Sequence, residues 1–304
     1  MPELPEVEVV RRGIEKQLIG AQIKNVKVLF PGSLRGQEPK RFIEALEGWS
    51  ITHAVRRGKF IWLLGKDNSG EQTQYSLVIH LGMSGQILIN QPGIDISSKN
   101  RAHLRVAIEL VDGRKVNFVD QRTFGRMLVE PLVETKDKKP AGWGANSCLI
   151  PRRVEQNVAR DVLDPGVDLD CQKIIDTVQK RKSSIKHSLL DQKLVSGIGN
   201  IYADEALFAA KMSPAQSANS LPAERIKEVF RCAGEIMKAA IKQGGTSFDE
   251  LYVDTSGNPG YFEQELMVYG RGGEPCKVCG ATLEKLQQSG RNATYCPKCQ
   301  PLDN

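Results

Sequence analysis

The chain has 304 residues, more than one minimal domain requires, with 42 lysines and arginines against 36 aspartates and glutamates for a formal charge of +6. Several folding units are expected at this length, and the small basic excess matters only where it clusters, because a basic face binds phosphate whereas an even spread merely favours solubility. No run of uncharged apolar residues is long enough to span a bilayer, and Met1-Pro2-Glu3-Leu4-Pro5-Glu6 is acidic rather than a basic, apolar leader; this excludes a helical membrane protein and leads us to expect a cytoplasmic one.

From Pro5 onward, Val7, Val10, Ile14 and Leu18 recur every three or four residues, the apolar stripe of a helix with Pro5 in its first turn. Short β-branched runs follow at Ile23 to Leu29, Ser50 to Leu64, Tyr75 to Leu81 and His103 to Asp120, the last folded at Asp112-Gly113, and predict a mainly antiparallel sheet. Glu134 to Leu169 is rich in charge, proline and glycine and lacks sustained periodicity, so the domain boundary is placed there. Helical patterns then cover Cys171 to Gln179, Ser184 to Leu190, Tyr202 to Ala210 and Pro222 to Gln243, interrupted by Ser196-Gly197-Ile198-Gly199-Asn200. A glycine-rich stretch from Ser256 to Gly260 leads into a cysteine-bearing tail. The expected division is 1–135 for the sheet domain, 136–168 for a linker, 169–264 for a helical domain and 265–304 for the tail, an α+β chain.

Four of the seven cysteines form two tight pairs, Cys276-Lys277-Val278-Cys279 and, after sixteen intervening residues, Cys296-Pro297-Lys298-Cys299. That spacing predicts one structural Zn²⁺ with four thiolate ligands and no open position for chemistry. Cys148, Cys171 and Cys232 stand alone and are given no role. Between the pairs, Leu283 to Leu286 and Asn292 to Tyr295 read as two strands joined near Ser289-Gly290, with Arg291 at or beside the tip, placed either to probe a ligand or simply to be solvated.

Removal of Met1 before the small Pro2 would leave a secondary amine at the start of a helix, where the positive end of the dipole disfavours the protonated form. Such an amine attacks an aldehyde-like sugar carbon to give a cationic iminium, which eases elimination of a phosphate. Glu3 beside it, or Glu6 one turn on, is placed to move a proton, though acidic residues in a first helical turn also suit the dipole with no catalysis. The glycines at 197 and 199 precede a helix and can aim backbone N–H groups at phosphate, and Lys180-Arg181-Lys182 with Lys186 supply cations nearby; a packed turn with a solvated basic face is the plainer account.

Taken in order, Pro-Glu-Leu-Pro-Glu-Val at the start, Arg57-Gly58-Lys59-Phe60, His80-Leu81-Gly82-Met83-Ser84-Gly85, the Gly-x-Gly-Asn turn ending at Asn200, and Gly290-Arg291-x-Thr before Cys-Pro-x-Cys-Gln resemble the formamidopyrimidine-DNA glycosylase family from end to end. The resemblance implies a two-sheet β-sandwich with flanking helices, a helix-two-turn-helix domain and a β-hairpin zinc ribbon, with duplex DNA in the cleft between two lobes. It also implies a monomer that excises oxidised purines such as 8-oxoguanine and formamidopyrimidines, then nicks at the abasic site by β,δ-elimination. Carried over by motif, Pro2 is the nucleophile, Glu3 the acid assisting base release, Lys59 the proton donor in β-elimination and Arg291 the donor in δ-elimination. Met83, Arg122 and Phe124 match the residues that fill the void left by the flipped base. Arg181, Lys182, Lys186 and Asn200, with His103, match phosphate or DNA contacts. By residue type alone Lys59 would be a solvated lysine, and Met83 and Phe124 core.

The loop Asp120-Gln121-Arg122-Thr123-Phe124-Gly125 departs from the family pattern, which more often has proline and a second basic residue where Gln121 and Thr123 stand. Endonuclease VIII, a relative preferring oxidised pyrimidines, typically begins Pro-Glu-Gly-Pro-Glu, and Leu4 argues against it. A non-catalytic reader of damaged DNA leaves Pro2, Glu3 and Lys59 without a purpose. A tautomerase-like enzyme using a terminal proline leaves the zinc hairpin and the basic turn unexplained.

Overall fold

The structure is a computed structural model that describes residues 2–169, 171–247, 252–288 and 290–302. In chain order the N-terminal lobe contains α1 (Leu4–Leu18), β1 (Ile23–Val28), α2 (Pro39–Leu46), β2 (Ser50–Arg57), β3 (Phe60–Lys66), β4 (Tyr75–His80), β5 (Gly85–Asn90), α3 (Ser98–Arg101), β6 (Leu104–Leu110), β7 (Lys115–Asp120) and β8 (Arg126–Glu134). Then come β9 (Leu149–Pro151) and α4 (Arg152–Asn157), the helices α5 (Gln172–Gln179), α6 (Ile185–Leu189), α7 (Asn200–Ala209) and α8 (Ala223–Lys242), and the hairpin β10 (Glu284–Gln288) and β11 (Arg291–Tyr295).

Two antiparallel sheets, ordered β1-β6-β7-β5 and β2-β3-β4-β8-β9, form the sandwich. Their interior is filled by alternate residues such as Ile61, Leu63, Leu77 and Ile79 from one sheet and Val106, Ile108 and Phe118 from the other. The apolar stripe of α1, Val7, Val10, Ile14 and Leu18, closes one side of this core. Burying each of these side chains stabilises the lobe by on the order of 2 kcal/mol. β3 is buried on both faces, which is why Ile61-Trp62-Leu63-Leu64 shows no polar alternation. Trp62 and Leu64 on its outer face, with Val78 of β4 and Leu128 of β8, pack under Ala141, Ile150 and Val154. The charged segment after Glu134 is therefore not loop throughout: β9 extends the larger sheet through Leu132↔Pro151, and α4 lies over it.

The helical lobe has its own core, in which α7 and α8 meet through Tyr202, Ala206, Val229, Phe230 and Met237. Leu4, from the start of the chain, is fully buried in this second core rather than in that of its own lobe. The lobes touch again where the segment after Tyr252 crosses α1: Gln17 Nε2 donates to Thr255 Oγ1 at 2.8 Å. A Cβ on Gly13 would lie 2.2 Å from that hydroxyl, so the approach requires glycine. Among the described residues, no helix is long and apolar enough to cross a membrane.

Candidate active site

Burial of Leu4 and a hydrogen bond from its N–H to the Gly197 carbonyl (3.2 Å) draw the chain start into the junction between lobes. Pro2 and Glu3 are buried there. The Glu3 carboxylate accepts from the backbone N–H groups of Gly199 (2.7 Å), Ile201 (3.0 Å) and Tyr202 (3.4 Å), at the N-terminal end of α7. Free N–H groups at a helix start are natural carboxylate ligands. Burial nonetheless dominates and pushes the Glu3 carboxyl above its ordinary value; Lys59 pulls the other way, and Glu6 adds to the rise. The glycine turn read from sequence as a phosphate clamp thus holds a carboxylate of this chain.

Lys59 stands at the β2–β3 turn, where Gly58 adopts φ +56°, and its Nζ donates to the Ile198 carbonyl at 3.3 Å. It is 8% exposed, not a solvated strand lysine. Burial lowers its pKa, Glu3 and Glu6 oppose that, and Arg291 adds to it. A carboxyl held above its ordinary value and an amine held below its own are therefore fixed around the same turn that leads into α7, the kind of perturbed pair that marks a candidate site.

Sequence reasoning singled out Glu6 as an alternative proton carrier but did not find the shell it gathers behind them. Glu6 accepts from the Glu3 N–H (2.8 Å), the Tyr202 hydroxyl (2.8 Å) and both the N–H and the hydroxyl of Thr246 (2.9 and 3.0 Å). Tyr202 and Thr246 give no local signal, since their role exists only across the lobes. His80 stands in a motif but was assigned no role. Burial and the cations Arg126, Lys59 and Arg35 push it down to about 3, so the ring is neutral. Its Nδ1 accepts from the Gly82 N–H at 3.1 Å, which leaves the ring proton on Nε2 as a donor.

The four cysteines converge as expected, every Sγ lying within 4.8 Å of the others. Thiolates at about 2.3 Å from zinc in a tetrahedron are separated by roughly 3.8 Å, so the cluster fits one structural zinc. The hairpin it supports is docked on the helical lobe. Lys186, 2% exposed, forms an ion pair with the buried Asp204 at 2.6 Å and donates to the Asn292 carbonyl at 3.0 Å. Asn200 donates to the same carbonyl at 3.1 Å, and Asp204 accepts from the Thr294 N–H at 2.9 Å. Lys186 and Asn200 thus hold the finger, and Arg291 beside the tip stays exposed. Arg181 is paired with Asp191 at 2.6 Å, whereas Lys182 is exposed. Ser289 lies outside the described residues.

Phe124 is 50% exposed and Met83 half-buried, so neither is ordinary core. The Arg122 guanidinium lies 5.9 Å from the centre of the Phe124 ring. Their loop is pinned on several sides: Arg122 N–H to Ser84 Oγ (2.9 Å), Gly125 N–H to Asp120 (2.7 Å), and Arg35 Nη2 to the Phe124 carbonyl (3.0 Å). Thr123, between the two exposed side chains, is held at φ +57°, an uncommon conformation for a β-branched residue. His103 lines a neighbouring cavity of about 350 Å³ with Ser84, Gln86, Gln121, Val253 and Pro259.

Three family models match: the formamidopyrimidine-DNA glycosylase N-terminal domain over residues 1–127, the H2TH domain of the same enzyme over 159–250, and the zinc finger found in FPG and IleRS over 273–302. Formamidopyrimidine-DNA glycosylases of Corynebacterium jeikeium and Corynebacterium glutamicum are 44% and 45% identical, each aligned over 99% of this chain and 100% and 99% of theirs. The MutM (Fpg) protein of Thermus thermophilus superposes with a TM-score of 0.79 at 30% identity over 100% of both chains. Lactococcus lactis Fpg bound to abasic-site DNA gives 0.78 at 28% over 98% of this chain and 99% of that one. The chain belongs to the formamidopyrimidine-DNA glycosylase family.

Proposed function

We propose that this enzyme removes oxidised purines from duplex DNA and then nicks the strand, through a Schiff base on Pro2. The observation that carries the reading is the burial of Glu3 and Lys59 against one helix turn, beside a chain start whose position is fixed by Leu4 and by the Glu3 N–H. Solved relatives are complexes with abasic-site DNA and with Fapy-dG DNA, which supports DNA as the ligand.

The lesion base must leave the stack before any side chain reaches its sugar. Phe124, Met83 and Arg122 would fill the gap, and the cavity beside His103 falls in the size range of small-ligand pockets and would take the extruded base. Glu3 in its acid form gives a proton as the base departs, and the neutral Pro2 nitrogen forms a bond to C1′. The proton of the resulting ammonium passes to the ring oxygen, the C1′–O4′ bond opens to leave a C4′ hydroxyl, and the nitrogen lone pair forms the iminium. The Glu3 carboxylate left by base release takes a C2′ proton, the C–H electrons flow into the iminium to form an enamine while the 3′ C–O bond breaks, and Lys59 donates a proton to the departing phosphate. A second elimination, served by Arg291, breaks the 5′ bond, and water releases Pro2. Met1 must be absent, because an acylated nitrogen cannot form the iminium.

The test is borohydride trapping on a duplex with one 8-oxoguanine opposite cytosine, followed by mass spectrometry of the cross-linked peptide. An adduct on Pro2, with strand nicking when borohydride is omitted, is the expected result. Adducts only with an oxidised pyrimidine would move the substrate class, and binding with no adduct on either would remove the catalytic reading.

A further inference from the structure

Asp161 lies in the segment between the lobes, far in sequence from every motif, yet it and Arg56 are both fully buried. One carboxylate oxygen accepts from Arg56 Nη1 at 2.6 Å and from the Gly58 N–H at 2.8 Å; the other accepts from the Leu163 N–H at 3.0 Å. Arg56 also donates to the Gly58 carbonyl (3.2 Å) and pairs with Glu8 at 2.9 Å. Both backbone polar groups of Gly58, one residue before Lys59, are thereby tied to one buried ion pair.

The same segment is tied to the opposite lobe. Asp161 forms a parallel backbone bridge with Ser196, whose N–H donates to the Arg160 carbonyl (3.2 Å) and whose hydroxyl donates to the Ala159 carbonyl (2.6 Å). Ser196 in turn abuts the Lys59 turn: a Cβ on Gly58 would lie 2.6 Å from its hydroxyl. Gln192 Nε2 donates to the Ile198 carbonyl at 2.8 Å, the carbonyl that also receives Lys59. Residues 159–161 are thus a strip laid between two turns, one presenting Lys59 and the other presenting the N–H groups that bind Glu3.

We propose that Asp161 is a positioning residue for Lys59, locking the turn that carries it to the 196–199 turn of the helical lobe. A buried ion pair contributes little net stability compared with well-packed apolar residues, so its value at this place is geometric. Asparagine cannot substitute. Both oxygens of Asp161 accept from N–H groups, and either orientation of an amide sets an NH2 against a donor. The proposal rests on the role given to Lys59 above, whose charged neighbours are Glu3, Glu6 and Arg291, with the neutral His80 ring also nearby.

The experiment compares wild type, Asp161→Asn, Asp161→Glu, Lys59→Gln and the Asp161→Asn/Lys59→Gln double variant. It reads single-turnover nicking of a preformed abasic duplex alongside hydrogen exchange of the full-length protein. Asp161→Asn is expected to slow nicking tenfold or more with the half-saturating DNA concentration unchanged. Peptides over 57–60 and 196–199 should lose protection while α8 and the finger keep theirs. Asp161→Glu, which retains the charge on a longer arm, should restore part of the rate, and it carries the comparison if Asp161→Asn does not fold. In the Lys59→Gln background Asp161→Asn should cost nothing more. Wild-type rate with wild-type protection, or equal slowing with and without Lys59, overturns the proposal. If Lys59→Gln nicks at the wild-type rate, the role of Lys59 falls, and exchange at the two turns alone decides that of Asp161.

Discussion

Glu3 combines two demands that oppose each other. Three helix N–H groups favour its carboxylate, but burial outweighs them and raises the pKa. The folded state therefore holds this proton more tightly than the unfolded chain, and the associated stabilisation is lost as pH rises from the ordinary carboxyl value through the raised one. On the proposed reading, base release from an oxidised purine should fall as pH rises through the same window; a single-turnover profile flat across it would sink Glu3 as the acid. Glu3→Gln should slow base release by about 10²–10⁴ and cost about 1–3 kcal/mol in a denaturant titration, because an amide NH2 then faces helix donors. Lys186 invites a second test. Burial pushes the Asp204 carboxyl up to about 6 despite the lysine beside it, so at neutral pH the ion pair is formed but poorly solvated. Lys186→Met should cost about 3–5 kcal/mol by stranding that carboxylate, and adding Asp204→Leu should recover most of it. If DNA affinity stays low in the recovered protein, Lys186 contributes contact as well as structure; full recovery of affinity would assign it to finger docking alone.

At the scale of elements, what was readable followed from how locally each one is specified. The start of α1, the hairpin turn at Asp112-Gly113 and the cysteine pairs each carry their signal within a few residues, and each formed where expected. β8 did not announce itself because Pro131 interrupts it, although its partners Tyr75 on one side and the β9 pairing on the other accommodate the proline. α2, eight residues with only Phe42 and Leu46 buried, shows too little of a stripe. Asp161 was beyond reach, since its bond to Arg56 spans 105 residues. The finger hairpin supplies the element-scale prediction. Its small core of Val268, Cys276, Leu283 and Cys296 gives it little stability of its own beyond what zinc and the Lys186 contacts supply. Chelation should therefore abolish exchange protection in β10–β11 and the nicking of duplex substrate while α7 and α8 keep theirs. Retained nicking in metal-free protein would remove the hairpin from the mechanism.

Across the whole molecule the net charge of +6 says little, because many cations are already committed. Arg56, Lys186 and Arg181 have carboxylate partners, whereas Lys182, Arg122 and Arg291 are exposed. If the exposed ones meet phosphate, Lys182→Ala should reduce the slope of log affinity against log salt by about 1, and Arg181→Ala by clearly less because Asp191 already balances its charge. Fluorescence anisotropy over a salt series measures both, and equal reductions would contradict this division.

The burial of Leu4 in the helical core also bears on the order of events during synthesis. Its neighbours around Gly197 and Tyr202 are made about 200 residues later, an interval of roughly 10–40 s at ordinary elongation rates. Until then the first turn has nowhere to seat, and the chain end stays open to the removal of Met1 that the proposed mechanism requires. In the folded chain Pro2 is buried and Glu3 and Leu4 are seated on the helical lobe, so that access ends once the lobe forms. On the proposed reading, exposure of Pro2 as the nucleophile is timed by translation itself, and a chain cut short before α7 lacks the N–H groups that seat Glu3.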